Sequence, residues 1–193
     1  LVLVHGSRPQ IEERLALRGI RSQYHNDLRV TDIDTLSCVI DAVGSLRIAI
    51  EARLCAQQSG SRLRVVSGNL VTAKPIGVVD GVDFHHTGEV RRIDRKAITR
   101  HLDEQNIVLL SSLGYSPTGE AFNLACEDVA TSVAVALGAD KLILFGEDTG
   151  IRDEDGELLR ELKPTRASPL LAKLGNSQPG TLLHHPHQKL QRN

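Results

Sequence analysis

The sequence contains no methionine and no tryptophan, and its aromatic residues are three phenylalanines and two tyrosines in 193 positions. Proteins that bind single-stranded nucleic acid stack bases on aromatic side chains, so this class has little support here. The formal net charge of −1 also lacks the excess of basic residues that nucleic-acid surfaces need. We therefore expect no nucleic-acid partner.

Long apolar runs and paired cysteines are missing as well. No uncharged run approaches the roughly 18 residues that a membrane-spanning helix needs, so we expect no membrane partner. The three cysteines, Cys38, Cys55 and Cys126, are odd in number and widely spaced, with no Cys-x-x-Cys pair. This pattern is typical of small core residues in a reducing compartment and offers no zinc site. The sequence predicts a cytoplasmic protein without a bound metal.

The clearest positive feature is the start of the chain, where the apolar run 1–4 ends near Gly6 and leads into a helical pattern at Pro9. A strand that feeds a helix directs backbone N–H groups at one point, which favours a phosphate or carboxylate ligand. A loop that wraps a polyphosphate needs several glycines, but here Ser7 and Arg8 follow the single one. The sequence thus predicts the strand-turn-helix arrangement of a phosphate site, but without the glycines that close contact with a polyphosphate needs.

Strand-like and helical patterns alternate along most of the chain. The strongest pattern is an amphipathic helix over 34–57. Its apolar stripe is broad enough to pack on more than one surface, including a second copy of the chain. We predict strands at 62–67, 89–93, 107–110 and 141–146, helices at 94–104 and 120–137, a loop at 114–119, a β-hairpin over 76–82 and a turn at 153–156. This order indicates an α/β fold with a mostly parallel sheet covered by helices, and ligands at the carboxyl ends of its strands.

The two ends of the chain have a different character from the middle. Residues 177–193 are polar, and Pro186 interrupts a cluster of histidines there, so we predict a disordered tail rather than a metal site. The chain also begins at Leu1 inside an apolar run, from which we expect an incomplete domain.

Four segments together resemble a known family: VHGSRPQI at 4–11, LRVTD at 28–32, GNLVTAKPIGVVDGVD at 68–83 and GEVRRID at 88–94. In this order they are similar to the amino-acid-kinase-like domain of bacterial N-acetylglutamate synthase, and the likeness runs to Asn176. The resemblance implies a three-layer sandwich over 1–176, without its N-terminal strand and its C-terminal part.

The resemblance also implies a function. The parent enzyme of that family transfers an acetyl group from acetyl-CoA to L-glutamate, the first step of arginine biosynthesis, in a separate C-terminal domain. The kinase-like domain mediates homo-oligomerisation and feedback by L-arginine. We therefore expect no catalytic residue and no cofactor in this chain. An acetylglutamate kinase and a non-catalytic amino-acid-binding module remain as alternatives.

A remnant of the kinase pocket follows from the same resemblance. Its candidate residues are His5, Gly6, Ser7, Arg8, Arg29 and Asn123. A working acetylglutamate kinase has His-Gly-Gly-Gly-Pro in the first loop, so Ser7 and Arg8 replace two glycines that let the backbone approach the transferred phosphoryl group. Glu127 replaces an aspartate that organises the kinase site. Both departures argue against phosphoryl transfer.

Several of these residues have two interpretations. Arg29 matches the arginine that holds the substrate carboxylate, or it forms a surface ion pair with Asp27 or Asp32. Asn123 matches a pocket asparagine, or it caps its own helix. His5 fits a hydrogen-bonded turn residue better than a base, because no carboxylate is identifiable beside it.

Lys141 is the candidate for an arginine-effector site. It matches a lysine that lines the arginine site in related proteins, and its alternative is a charge at a strand edge. The family completes that site with an N-terminal helix and a Glu-Leu-Phe-x-x-x-Gly-x-Gly segment, neither of which we find in this sequence.

Overall fold

The computed structural model describes residues 1–56, 63–146, 150 and 157–159. The chain divides into two compact units, Leu1–Asp140 and Lys141–Asn193. All of the helices and strands described below belong to the first unit.

The helices and strands of the first unit alternate, as the sequence predicts. The helices are α1 (Arg8–Leu17), α2 (Ile33–Ala56), α3 (Arg95–Asp103) and α4 (Cys126–Leu137). The strands are β1 (Val2–His5), β2 (Gln23–His25), β3 (Leu28–Val30), β4 (Val65–Val66), β5 (Val71–Pro75), β6 (Val78–Val79), β7 (Val82–Asp83), β8 (Gly88–Ile93), β9 (Ile107–Ser111), β10 (Leu113–Tyr115) and β11 (Ala121–Asn123).

A parallel sheet in the order β1-β9-β4 carries the start of the chain. Its register pairs Val2 with Val108 and His5 with Ser111. The central strand β9 is buried from Ile107 to Leu110, which explains its continuous apolar run. The parallel sheet and the α/β class are thus as predicted.

A second sheet, in the order β11-β10-β5-β8, is mixed: β10 is parallel to β5, and the other pairs are antiparallel. The expected loop at 114–119 is wrong at its start, because Gly114 lies inside β10. A Cβ atom on Gly114 would lie 2.8 Å from Cβ of Ala73 and 2.7 Å from Cδ1 of Leu124. The glycine therefore permits close packing within a sheet rather than a turn.

The predicted hairpin forms from β6 and β7, which pair antiparallel. Asp80 and Gly81 occupy its turn with φ angles of 53° and 79°. Positive φ at both central residues is the signature of the tight turn that joins two right-twisted strands. This prediction is confirmed.

Helices α1 and α2 pack on each other through one of two core clusters, in which Ile11 and Leu15 meet Cys38 and Val39. Leu17, at the end of α1, is exposed. The long helix agrees with the predicted 34–57, and Asp32 accepts a hydrogen bond from the Thr35 N–H at 2.8 Å at its start. The other cluster joins both sheets to α3 and α4.

The predicted helix at 120–137 begins later, at Cys126. Residues 121–123 pair with β10 instead, and Gly138 ends the helix in the left-handed conformation at φ 63°. Two predictions, the turn at 153–156 and the tail at 177–193 with its histidines, lie outside the described residues.

The predicted strand at 141–146 is wrong. None of these six residues pairs with another described strand, and Phe145 is 95% exposed. An apolar run forms a strand only where a neighbouring strand pairs with its backbone N–H and C=O groups.

Two further observations concern site types. No helix in the described part of the chain is both long and apolar enough to cross a bilayer. Among the described residues, no group of three or more His, Cys, Asp or Glu side chains could hold a metal ion.

Candidate functional site

The turn between β1 and α1 brings His5, Gly6, Ser7 and Arg8 together at the carboxyl end of β1. Ser7 precedes the helix, and its carbonyl accepts the Ile11 N–H at 2.9 Å. The Ser7 side chain is buried, with its Oγ 3.4 Å from Oγ of Ser112 after β9. Ser7 therefore joins the turn to the neighbouring strand instead of leaving an open backbone loop.

Gly6 lies against the first turn of α4. A Cβ atom on Gly6 would lie 3.2 Å from Sγ of Cys126. Burial raises the pKa of the Cys126 thiol to about 12, and Glu127 adds to the shift by its charge and a hydrogen bond. The thiol is therefore protonated at neutral pH and cannot act as a nucleophile there.

His5 has the environment of a neutral turn residue. Its Nδ1 lies 3.3 Å from the Gly6 carbonyl oxygen, and its buried Nε2 has no hydrogen-bond partner in the described structure. Burial lowers the pKa of His5, the Gly6 carbonyl opposes the shift, and the charge of Arg47 adds to it. No described carboxylate forms an ion pair with His5, so nothing there would support it as a base.

Arg29 is bonded to the chain's own carboxylate. The residue is 7% exposed, and its Nη2 donates to Oε1 of Glu12 at 2.8 Å. Its Nη1 donates to Oγ of Ser22 at 2.6 Å, and Ser22 in turn donates to Oε2 of Glu12 at 2.6 Å. The alternative interpretation, an ion pair with Asp27 or Asp32, is wrong, because the guanidinium of Arg29 faces α1 and pairs with Glu12.

Tyr24 completes this cluster between two arginines. The guanidinium carbons of Arg8 and Arg29 each lie 4.9 Å from the centre of its ring, within the range of a cation–π contact. Its hydroxyl donates to Oε1 of Glu12 at 2.7 Å. Arg8 is thus held against the β2–β3 hairpin.

The ionisation of this cluster follows from its hydrogen bonds. Desolvation opposes the charged form of Glu12, but hydrogen bonds from Ser22, Tyr24 and Arg29 outweigh it and lower the pKa of the carboxyl. Burial, together with the bond to Glu12, raises the pKa of Tyr24. Glu12 is therefore an anion and Tyr24 a neutral donor at neutral pH.

Asn123 belongs to a buried polar network. Its Nδ2 donates to Oγ1 of Thr31 at 3.1 Å, and the hydroxyl oxygens of Thr31 and Thr87 lie 2.9 Å apart in a hydrogen bond. Thr87 also donates to the Arg29 carbonyl. Asn123 lies in β11, where its backbone N–H bonds to the His86 carbonyl at 2.9 Å, so the interpretation as a helix cap is wrong.

Three of the predicted residues, Arg8, Arg29 and Asn123, are therefore joined through Tyr24, Thr87 and Thr31 into one network of contacts, the polar layer. Ser7 lies near this layer through Ser112, whose hydroxyl meets Ser7 and whose carbonyl accepts the N–H of Leu124 at 2.8 Å, the residue after Asn123. Glu12, Ser22 and Thr87 were missed by the sequence analysis. Glu12 lies one helical turn after Arg8 in the sequence, and only this spacing could have suggested that it lies near the turn between β1 and α1.

Lys141 opens the second unit and is exposed. It lies outside any strand of the described structure, so its interpretation as a charge at a strand edge is wrong.

A model of the amino acid kinase family matches residues 1–178. The chain belongs to the amino acid kinase family. Among curated relatives, the amino-acid acetyltransferase of Ectopseudomonas mendocina is 67% identical over 188 residues, which is 95% of this chain and 44% of that protein. That of Pseudomonas putida is 66% identical with the same coverage. This family member thus spans less than half the length of these relatives.

Solved structures of the family agree with this match. N-acetylglutamate synthase from Neisseria gonorrhoeae, complexed with coenzyme A and L-arginine, is 39% identical with a TM-score of 0.81, covering 89% of this chain and 42% of that one. The same enzyme complexed with coenzyme A and N-acetyl-glutamate is 40% identical with a TM-score of 0.80, covering 89% and 40%. The resemblance seen in the sequence is confirmed.

Proposed function

We propose that this chain is the regulatory and oligomer-forming domain of an acetyl-CoA:L-glutamate N-acetyltransferase that catalyses the first step of arginine biosynthesis under arginine feedback. The identity of 67% to an amino-acid acetyltransferase supports this parent enzyme. The proposal places the parent in the cytoplasm, with L-glutamate and acetyl-CoA as its substrates. In this proposal the domain spans residues 1–176, with 177–193 outside it.

The observation that carries the proposal is the ion pair between Glu12 and Arg29, because the resemblance assigns that arginine to a substrate carboxylate. Arg29, the match for a substrate-binding arginine, is bonded to Glu12, and Ser7 and Arg8 stand where a kinase has glycines. A phosphoryl-transfer site needs open backbone N–H groups and free cations around the phosphates. We therefore assign no catalytic residue to this chain and place the chemistry elsewhere in the parent.

Activity assays on the full chain test this assignment. We expect no ADP from ATP with N-acetylglutamate, and no free CoA from acetyl-CoA with L-glutamate. The matched variant carries Ser7→Gly and Arg8→Gly, which restore the glycines, and it too is expected to be inactive because Glu12 still holds Arg29. ADP formation above a no-enzyme blank in either protein would overturn the proposal in favour of a kinase.

Oligomerisation is supported by apolar side chains that α2 leaves uncovered. Ile33, Ile40 and Ile48 are 66%, 43% and 59% exposed on this helix. Exposed apolar side chains on one element favour an interface, and a second copy of the chain supplies a self-complementary surface.

Light scattering tests the oligomer. We expect a dimer or larger assembly for the full chain and a smaller one for the Ile40→Glu, Ile48→Glu variant. The control is Val78→Glu, which changes an exposed apolar residue of the hairpin and should leave the mass unchanged. A monomeric parent chain would count against the oligomeric role.

Arginine feedback is the third part of the proposal, with Lys141 as the candidate effector contact. The gonococcal synthase that resembles this chain was solved with L-arginine. Calorimetry with L-arginine should give binding that Lys141→Ala weakens and that Lys96→Ala, an exposed change on α3, does not. Equal binding by both variants would remove Lys141 from the effector site.

A further inference from the structure

A cavity of about 550 Å³ lies on another part of the first unit and shares no residue with the polar layer around Arg29. It is lined by the segment 66–72, which runs from the end of β4 into β5. Residues of α3 and residues 115–117, at the end of β10 and just beyond it, also line it. The volume exceeds the space that a single inorganic ion needs and suits a small organic molecule.

One face of α3 lines this cavity. Asp94, Ala97, Arg100 and His101 follow one another at helical spacing, so they lie on the same side of the helix. Arg92 of β8 also lines the cavity, and it pairs in register with Thr72 of β5, another lining residue. Two arginines from different elements therefore border one space.

The charges of these two arginines are not paired with any residue in the part of the chain that the structure describes. Neither Arg92 nor Arg100 forms an ion pair or a side-chain hydrogen bond in the described structure. Asp94 is the only carboxylate among the described residues that line the cavity, and it accepts the Ala97 N–H at 3.0 Å as the cap of α3. The described lining thus has an excess of positive charge.

The remaining polar groups of the lining fit the same kind of ligand. Asn69 also lines the cavity, whereas the hydroxyl of Ser67 already bonds to Arg47 at 3.0 Å and to Glu51 at 2.8 Å. His101 is a further lining residue, and its Nδ1 lies 4.0 Å from Oε2 of Glu104. The side-chain amide of Asn69 thus adds a neutral hydrogen-bond donor to the two arginine side chains.

We infer that this cavity binds a small organic oxyanion, a molecule that presents a carboxylate or phosphate group to Arg92 and Arg100. Guanidinium groups match both kinds of oxyanion through paired N–H donors, and they pair with them more strongly than neutral donors do. Both arginine side chains are exposed and border the cavity, so a ligand can reach them from solvent. This inference does not depend on the proposed function.

Calorimetric titration of the full chain tests the inference with three probes: inorganic phosphate, pyrophosphate and glutarate. We expect at least one to bind with a dissociation constant in the millimolar range or below. Arg92→Gln and Arg100→Gln should each weaken that binding about tenfold, the effect of losing a charged hydrogen bond. The probe that binds distinguishes a phosphate ligand from a carboxylate ligand.

Two matched variants control for net charge. Arg91→Gln, next to Arg92 in β8, and Arg95→Gln, in the first turn of α3, remove the same charge from residues that do not line the cavity. We expect both to bind within about twofold of the parent chain, since general electrostatic effects at the surface are screened. Circular dichroism confirms the fold of each variant. Absence of binding by all three probes, or equal losses in the control variants, would overturn the inference.

Discussion

Arg29 of β3 and Glu12 of α1 form a hydrogen-bonded ion pair of 2.8 Å, although 17 residues separate them in the chain. The pair is closed by Ser22, which bonds to both. An arginine that the resemblance assigns to a substrate carboxylate is therefore already matched with a carboxylate of the protein. The same contact fastens the β2–β3 hairpin to the helix that follows the first turn.

Replacing Glu12 with glutamine should destabilise the fold. The change keeps the shape of the side chain but leaves the buried Arg29 guanidinium without its counter-charge. Because Glu12 is partly exposed and water can replace some of the interaction, we expect a loss of about 1–3 kcal/mol in the free energy of unfolding. Urea denaturation followed by circular dichroism measures it.

The matched control is Glu13→Gln, which removes the same charge from the next residue of α1, where the side chain is exposed and forms no ion pair in the described structure. We expect a change within about 0.5 kcal/mol, as for most surface substitutions. Similar losses in the two variants would show that the Arg29 contact contributes nothing specific.

Acid should weaken the fold through the same carboxyl. The pKa of Glu12 is lower in the folded chain than its ordinary value of about 4.3. A depressed folded-state pKa contributes stability that is complete above about pH 5 and is lost as the pH falls through the lowered value. The free energy of unfolding should therefore drop as the pH falls below about 5.

His5 and Asp32 also have lowered pKa values, from burial and from the Thr35 N–H respectively, and both contribute to acid unfolding. The informative quantity is thus the difference between the parent chain and Glu12→Gln at each pH. We expect this difference to shrink towards acid pH, because glutamine does not titrate. A difference that stays constant over the range contradicts the assignment to Glu12.

The sequence was sufficient for features that depend on local patterns. The apolar period of α2 needs only neighbouring residues, and so does the Asp80-Gly81 turn of the hairpin, whose φ angles of 53° and 79° match the residue types. The α/β order and the parallel arrangement of β1 and β9 follow from the alternation of such segments.

Features that depend on distant partners were not accessible in this way. Glycine is common in loops, but the place of Gly114 in β10 depends on its packing against Ala73 and Leu124. Glu12 has no sequence signal that connects it to Arg29, because the contact forms only after the hairpin folds onto α1. The apolar segment 141–146 shows the converse, since a strand pattern without a pairing partner remains irregular.

Two glycines should respond in opposite directions to alanine. A Cβ atom on Gly88 would lie 2.9 Å from the Lys74 carbonyl oxygen and 2.8 Å from Cβ of Phe122, so backbone must move. We expect Gly88→Ala to cost about 1–3 kcal/mol, as for other overpacked sites. Gly44→Ala meets nothing within 4 Å inside α2 and should add about 0.5–1 kcal/mol. Thermal unfolding of both variants measures the contrast, and a loss in Gly44→Ala would contradict the open space around it.

The three cysteines should differ in their reactivity towards iodoacetamide. Cys55 is exposed on α2, Cys38 is fully buried, and Cys126 is partly covered. Burial raises the pKa of the Cys126 thiol to about 12, so its reactive thiolate is scarce at neutral pH. Mass spectrometry of labelled peptides should find Cys55 modified first, with labelling of Cys126 growing only in strongly alkaline buffer. The Cys55→Ser chain is the control, because it removes the fast site and exposes any labelling of the other two. Rapid modification of Cys126 at neutral pH would mean that the first turn of α4 opens away from Gly6, and the close contact at the carboxyl end of β1 would then not hold in solution.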